Sequence, residues 1–140
     1  MCSIQRPLDT KAQPRIAVEA EAILGVLTLC ESAQVELMSS DTLVFELGRN
    51  PHPVRKEYAL KVLAKASVFV PTDSDIEEYA RKFQAEGMKP LDALHLASAV
   101  MAKADYFCTC DDRFLQRAKA ADTGQTKVVS PLELITEVTQ

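Results

Sequence analysis

The sequence predicts an α/β protein with a mainly parallel sheet covered on both faces by helices, and three observations predict it. Amphipathic stretches with helical periodicity alternate with short apolar runs along the 140 residues. The runs, such as Val68-Phe69-Val70 and Val128-Val129, are β-branched or aromatic and suit buried strands. Helices separate successive runs, so the strands are joined by crossovers, which run parallel and right-handed.

Taken in order, Pro14 stands where a first helical turn tolerates proline, and Ile16, Ala20, Ile23, Leu24, Leu27 and Cys30 then recur at helical spacing. That periodicity leaves Glu19 on the outside. Residues 35–38 form a short apolar strand, followed by Ser39, Ser40 and Asp41 as N-cap residues for a helix through Leu47, which Gly48 and Asn50-Pro51 stop. A helix over 54–64 precedes a strand over 68–70 ended by Pro71. Ser74 and Glu77 read as a capping box opening a helix to about Glu86, with Gly87 ending it. A helix over 91–103, a strand over 106–110, a helix over 112–121 and a strand over 127–129 complete the pattern. Only four strands are visible, and residues 1–9 read as the end of a further strand and its outgoing loop.

Length and composition fit a single domain over 1–140, at 47% apolar residues. No apolar run approaches the roughly 18 residues of a membrane span, and the start, with Arg6, Asp9 and Lys11, lacks the apolar core of a signal peptide. A cytoplasmic protein with no membrane partner is expected. Cys2, Cys30, Cys108 and Cys110 fit that compartment as reduced thiols, since Cys108 and Cys110 alternate along one strand and the other two lie elsewhere. No His or second Cys pair has the spacing to complete a zinc site with Cys108-x-Cys110. The net charge of −4 argues against coating nucleic acid by electrostatics alone, so local bases such as Arg6 and Arg49 must make any phosphate contacts.

Residues 89–114 carry the most chemical information. About 12 helical residues running down and about 6 strand residues returning both cover ~18 to 20 Å, so Asp92 and Asp111 finish near each other. They converge outside the carboxyl end of a strand, where open α/β sheets bind ligands, and carboxylate oxygens suit hard divalent metals. Each acid also has an ordinary reading. Asp92 lies in a first helical turn, where the macrodipole favours it, and Asp111 or Asp112 is a normal N-cap. Glu46 stands inside the apolar run Leu-Val-Phe-Glu-Leu, where an acid is costly unless paired, for example with Arg49 at i+3, or metal-bound. Spacing alone does not bring Glu46 to the edge with Asp92. His95, one turn after Asp92, reads as that carboxylate's partner or as helix packing rather than as a catalyst. No Gly-rich phosphate loop, Ser-His-Asp arrangement or His pair at metal spacing occurs.

On these residues the chain resembles a PIN domain, the metal-dependent ribonuclease family that includes VapC-type toxins. The resemblance spans nearly the whole length. It is carried most specifically by PLDALHLASA, then ADYFCTCDDRFLQRA and KVVSPLELI, with support from QRPLDTKAQPRI and SSDTLVFELGRNP. It implies a three-layer α/β/α sandwich around a parallel sheet and an acidic cluster that holds Mg²⁺ or Mn²⁺ and cleaves RNA. It assigns Glu46, Asp92 and Asp111 as ligands, Thr109 as the hydroxyl of the Thr-x-Asp motif and Asp112 as an adjacent acid; in such a site Arg6 or Arg49 is the expected phosphate contact. The family's first acid ends the first strand in a segment like Tyr-Leu-Asp-x-Cys. Aligning that Cys with Cys2 places the acid before Met1, and Asp9 does not replace it.

The expectation is therefore a truncated first strand, weakened metal affinity and weak or absent activity, with Met1 an internal residue of a longer natural protein rather than the start of a degenerate copy. The resemblance also implies a toxin role with an antitoxin partner occupying the acidic groove, and homodimers. The alternative is a non-catalytic PIN-like module that binds RNA or a protein.

Overall fold

Proline and short polar side chains set the helix starts, and those starts position every acid of interest. The computed structural model describes residues 4, 6–8 and 13–140. A 3₁₀ turn at Arg6–Leu8 precedes α1 (Pro14–Glu31), β1 (Met38–Ser40), α2 (Asp41–Gly48), α3 (Pro53–Leu63), β2 (Val68–Val70), α4 (Ser74–Ala85), α5 (Pro90–Met101), β3 (Tyr106–Cys108), α6 (Asp112–Ala120), β4 (Lys127–Val129) and α7 (Pro131–Val138). Proline occupies the first turn of α1, α3, α5 and α7, where its missing N–H removes no helical bond. The side chains of Ser40, Asp73, Asp111 and Ser130 cap α2, α4, α6 and α7 by accepting backbone N–H groups.

The protein is α/β and both strand pairings are parallel. β1 pairs with β2, Met38 opposite Val68 and Ser40 opposite Val70, while β3 pairs with β4, Tyr106 opposite Lys127 and Cys108 opposite Val129. Helices α2 and α3 cross between the first pair and α6 between the second. Among the described residues these are two separate two-stranded sheets, so the continuous central sheet of a three-layer sandwich is not present there. The strand end expected in residues 1–9 falls largely outside the described residues, as do Cys2 and Asp9; Arg6–Leu8 within it form the 3₁₀ turn instead.

Among the described residues three groups of buried side chains hold the elements together. Ile76, Ala80 and Phe83 of α4 pack on Ala93, Leu96 and Ala97 of α5, with Phe114, Ala118 and Val128 closing the group. The small alanines on both helices allow close approach, and Phe83 and Leu96 fill the interior. Ile4, Leu43, Leu47, Ala59, Val62 and Leu63 form a second group around α2 and α3. The third, Val26, Val129 and Leu134, joins α1 to α7 across β4.

Four expectations need correction. The first strand lies at Met38–Ser40 rather than 35–38, because parallel pairing with Val68–Val70, not local hydrophobicity, sets its register. The α4 cap is Asp73, which accepts the Ile76 N–H at 2.9 Å, so Ser74 is the first helical residue and the Ser74–Glu77 box does not form; the N3 residue is Ile76, which cannot return a side-chain bond. The complete capping box is at Ser130 and Glu133 and opens α7, a helix absent from the predicted pattern. Glu19 is buried at 4% exposure while Leu24 is 46% exposed, the reverse of the expected arrangement. Glu19 lies three residues after Ile16 and four before Ile23, on the apolar face, and its ion pairs permit it to remain there.

Candidate functional site

The carboxyl ends of the strands lead directly to the acids. β1 runs into α2 through Ser40, whose Oγ accepts the Leu43 N–H at 3.1 Å, and α2 carries Glu46. Asp41 Oδ2 accepts the Thr72 N–H at 2.8 Å, which ties the end of β1 to the segment leaving β2. β3 leads through Thr109 and Cys110 to Asp111. Helix α5 opens with Asp92 in its first turn.

Glu46 meets α5 through His95. The imidazole is buried at 7% exposure and its Nε2 lies 3.3 Å from Glu46 Oε2, within ion-pair reach but short of well-formed hydrogen-bond geometry. The His95 contact is the main cause that holds the Glu46 carboxyl down to about 2. Arg49, the partner considered from the sequence, instead places its guanidinium 5.3 Å from the centroid of the exposed Phe45 ring.

Asp92 behaves in the opposite way. Burial is the main cause raising its pKa; the charge of Asp111 comes next, and Glu46 adds to it, while His95 and Lys89 act against the rise. Asp111 and Glu46 thus both lie within electrostatic reach of Asp92. Glu46, Asp92 and Asp111, from three parts of the chain, thus share one edge of the molecule without converging into a three-ligand cluster among the described residues.

Asp111 divides its carboxylate between two tasks. Oδ1 caps α6 by accepting from the Arg113 and Phe114 N–H groups at 3.0 and 3.2 Å. Oδ2 accepts no hydrogen bond among the described residues. Thr109 is buried, its Oγ1 accepts the Asp111 N–H at 3.1 Å, and its own N–H donates to Val129 O at 3.0 Å. The hydroxyl therefore shapes the turn that presents Asp111.

Asp112, next in the chain, is gripped by Arg15, with NH1 to Oδ2 at 2.6 Å and NH2 to Oδ1 at 2.8 Å. Arg6 is turned inward: its Nε lies 3.3 Å from Glu19 Oε1 and its side chain is only 16% exposed, which commits it to that carboxylate. The Arg6–Glu19–Arg15 cluster was missed from the sequence. Its signal is an Arg four residues before a Glu on an otherwise apolar face.

The donor chemistry, carboxylates with a neighbouring hydroxyl, fits Mg²⁺ or Mn²⁺. Among the described residues no three His, Cys, Asp or Glu side chains converge closely enough to hold an ion. Cys30, Cys108 and Cys110 are thiols. Among the described residues no helix is long and apolar enough to cross a membrane.

The fold is a parallel α/β arrangement in which acids follow the carboxyl ends of β1 and β3. A family model described as PIN domain matches residues 6–120, and the chain belongs to the PIN domain family. PIN domains are generally nuclease-like hydrolases and typically use divalent metals. Neither a curated protein nor a solved structure matches the chain.

Proposed function

We propose that this chain is a metal-dependent endoribonuclease in which Asp92, Asp111 and Glu46 hold Mg²⁺ or Mn²⁺, directly or through water. What supports this reading is the half-buried position of Asp92 in the first turn of α5, one turn before the His95 that contacts Glu46, with Asp111 and Glu46 both within electrostatic reach. A divalent cation relieves the repulsion among these like charges. When bound, the ion supplies Lewis acidity that lowers the pKa of water and offsets charge on the scissile phosphate.

The chain's own residues divide the remaining work. Asp111 presents Oδ2 from a rigid turn fixed by Thr109. His95 holds Glu46 ionised and aligned with α5. Arg49, exposed beside Phe45, is the basic residue assigned to a phosphate in this reading. The decisive experiment is cleavage of single-stranded RNA with Mn²⁺ by the unaltered chain and by Asp92→Asn. Loss of cleavage in the variant, with RNA binding retained, supports the proposal; equal cleavage by both refutes it.

A toxin role belongs to the same proposal, with an antitoxin segment seated over the acids and a homodimer as the working assembly. Growth arrest on expression, relieved by the product of an adjacent gene, tests the first; sedimentation equilibrium tests the second.

The lack of a three-ligand cluster among the described residues favours a second reading, a non-catalytic module that binds RNA or a protein. Under that reading Asp92→Asn leaves function intact and Mn²⁺ does not stabilise the fold.

A further inference from the structure

Arg15 brackets Asp111. Its NH2 donates to the carbonyl oxygen of Cys110 at 3.2 Å, and its two terminal nitrogens grip the carboxylate of Asp112 at 2.6 and 2.8 Å. One planar guanidinium thus holds the residues on either side of Asp111, an arrangement for which the rigid fork of arginine is suited and the point charge of lysine is not.

The guanidinium is itself held from behind. Arg15 Nε lies 3.5 Å from Glu19 Oε2, and the other Glu19 oxygen lies 3.3 Å from Arg6 Nε. The Glu19 side chain is only 5% exposed. A buried carboxylate on a helix face otherwise lined by Ile16, Ala20 and Ile23 is a poor way to gain stability, because its desolvation offsets most of the attraction of its partners. What it does provide is direction, since it fixes the angle at which Arg15 leaves α1. The Arg15–Asp112 pair is mostly solvent-exposed, at 53% and 63%, and as a simple surface ion pair it would contribute little. Its effect is on geometry.

We propose that Arg15 is a positioning residue that fixes Asp111 for cation binding, with Glu19 and Arg6 orienting Arg15. The proposal rests on the reading of Asp111 as a site acid. Outer partners of this kind change metal affinity by about 10- to 100-fold when removed.

The test compares Arg15→Gln, Asp112→Asn, their double variant and Arg15→Lys with the unaltered chain. It measures Mn²⁺ affinity by calorimetry, the thermal shift on adding Mn²⁺, and kcat and KM for single-stranded RNA. Arg15→Gln and Asp112→Asn should each weaken Mn²⁺ binding by about tenfold or more. At fixed subsaturating Mn²⁺, kcat should fall in proportion, KM should stay unchanged, and kcat should recover at saturating Mn²⁺. The double variant should be no worse than the worse single one, because both break the same grip, and Arg15→Lys should recover only part of the loss. Asp112 lies on the surface, so Asp112→Asn remains informative if Arg15→Gln folds poorly.

Mn²⁺ affinity within twofold of the unaltered chain in both single variants, or additive losses in the double variant, overturns the positioning role while leaving the nuclease reading standing. If the unaltered chain binds no Mn²⁺, or Asp92→Asn cleaves normally, the reading of the acidic site itself has failed.

Discussion

His95 Nε2 lies 3.3 Å from Oε2 of Glu46, and this contact joins two helices that the chain separates by more than forty residues. Because His95 sits one turn beyond Asp92 on α5, the contact also sets Glu46 beside Asp92. The two acids respond in opposite directions, Glu46 held low by the imidazole and Asp92 raised by burial and by neighbouring charge. Carboxylate charge therefore opposes fold stability at Asp92 and supports it at Glu46.

Asp92→Asn is expected to abolish cleavage and to raise thermal stability at neutral pH in a chelating buffer. A carboxyl whose folded pKa is raised opposes folding once it is ionised and ceases to do so as pH falls through that pKa. The stabilising effect of the substitution should thus shrink as the buffer is acidified. Melting curves from pH 7 down into the carboxylate range check this, and a lower melting temperature for Asp92→Asn at neutral pH contradicts it.

Glu46→Gln should act with the opposite sign. The folded Glu46 carboxyl is depressed from 4.5 to about 2, so its contribution to stability is fully present above the unfolded pKa and is lost as pH falls toward 2. The variant should melt lower than the parent at pH 7 and converge with it in strong acid. In His95→Ala the Glu46 side-chain carboxyl should titrate closer to 4.5, readable by carbon-13 NMR; an unchanged titration rules out His95 as the main cause.

Gly87→Ala should destabilise the protein by more than about 1 kcal/mol. Gly87 has φ +99°, and an added Cβ would collide with the guanidinium of Arg117, whose NH1 donates to the Gly87 carbonyl. The turn feeds Lys89 and Pro90 into α5, so the damage should reach Asp92 and weaken Mn²⁺ binding as well. Equilibrium urea unfolding and calorimetry read the two effects.

Ser130→Ala should cost about 1 kcal/mol, since it removes the side-chain acceptor for the Glu133 N–H, a 3.2 Å bond, while leaving the site intact. Faster hydrogen exchange in α7 with unchanged Mn²⁺ affinity is the expected pattern. Loss of metal affinity in this variant would show that α7 is coupled to the acids.

Local signals determined much of what was legible in the sequence. Capping residues and apolar periodicity placed α1 to α6 to within a few residues but missed α7, and the strands Val68–Val70 and Lys127–Val129 emerged with their observed bounds. The matched lengths of α5 and the returning strand predict Asp92 near Asp111 because the rise per residue is a property of the backbone alone, and the charge of Asp111 is felt at Asp92. Family membership was legible for the same reason, since its motifs are contiguous runs.

Tertiary structure decided the rest. Spacing cannot predict which imidazole meets Glu46, because α2 and α5 meet only through packing between distant segments. Nor does periodicity reveal that Glu19 turns inward: the burial of a carboxylate depends on arginines supplied by Arg6 from outside the helix and by Arg15 from one turn back, and on the Asp112 carboxylate that holds Arg15 in place. The separation of the strands into two pairs is likewise decided by which backbone edges meet, a relation that no local pattern encodes.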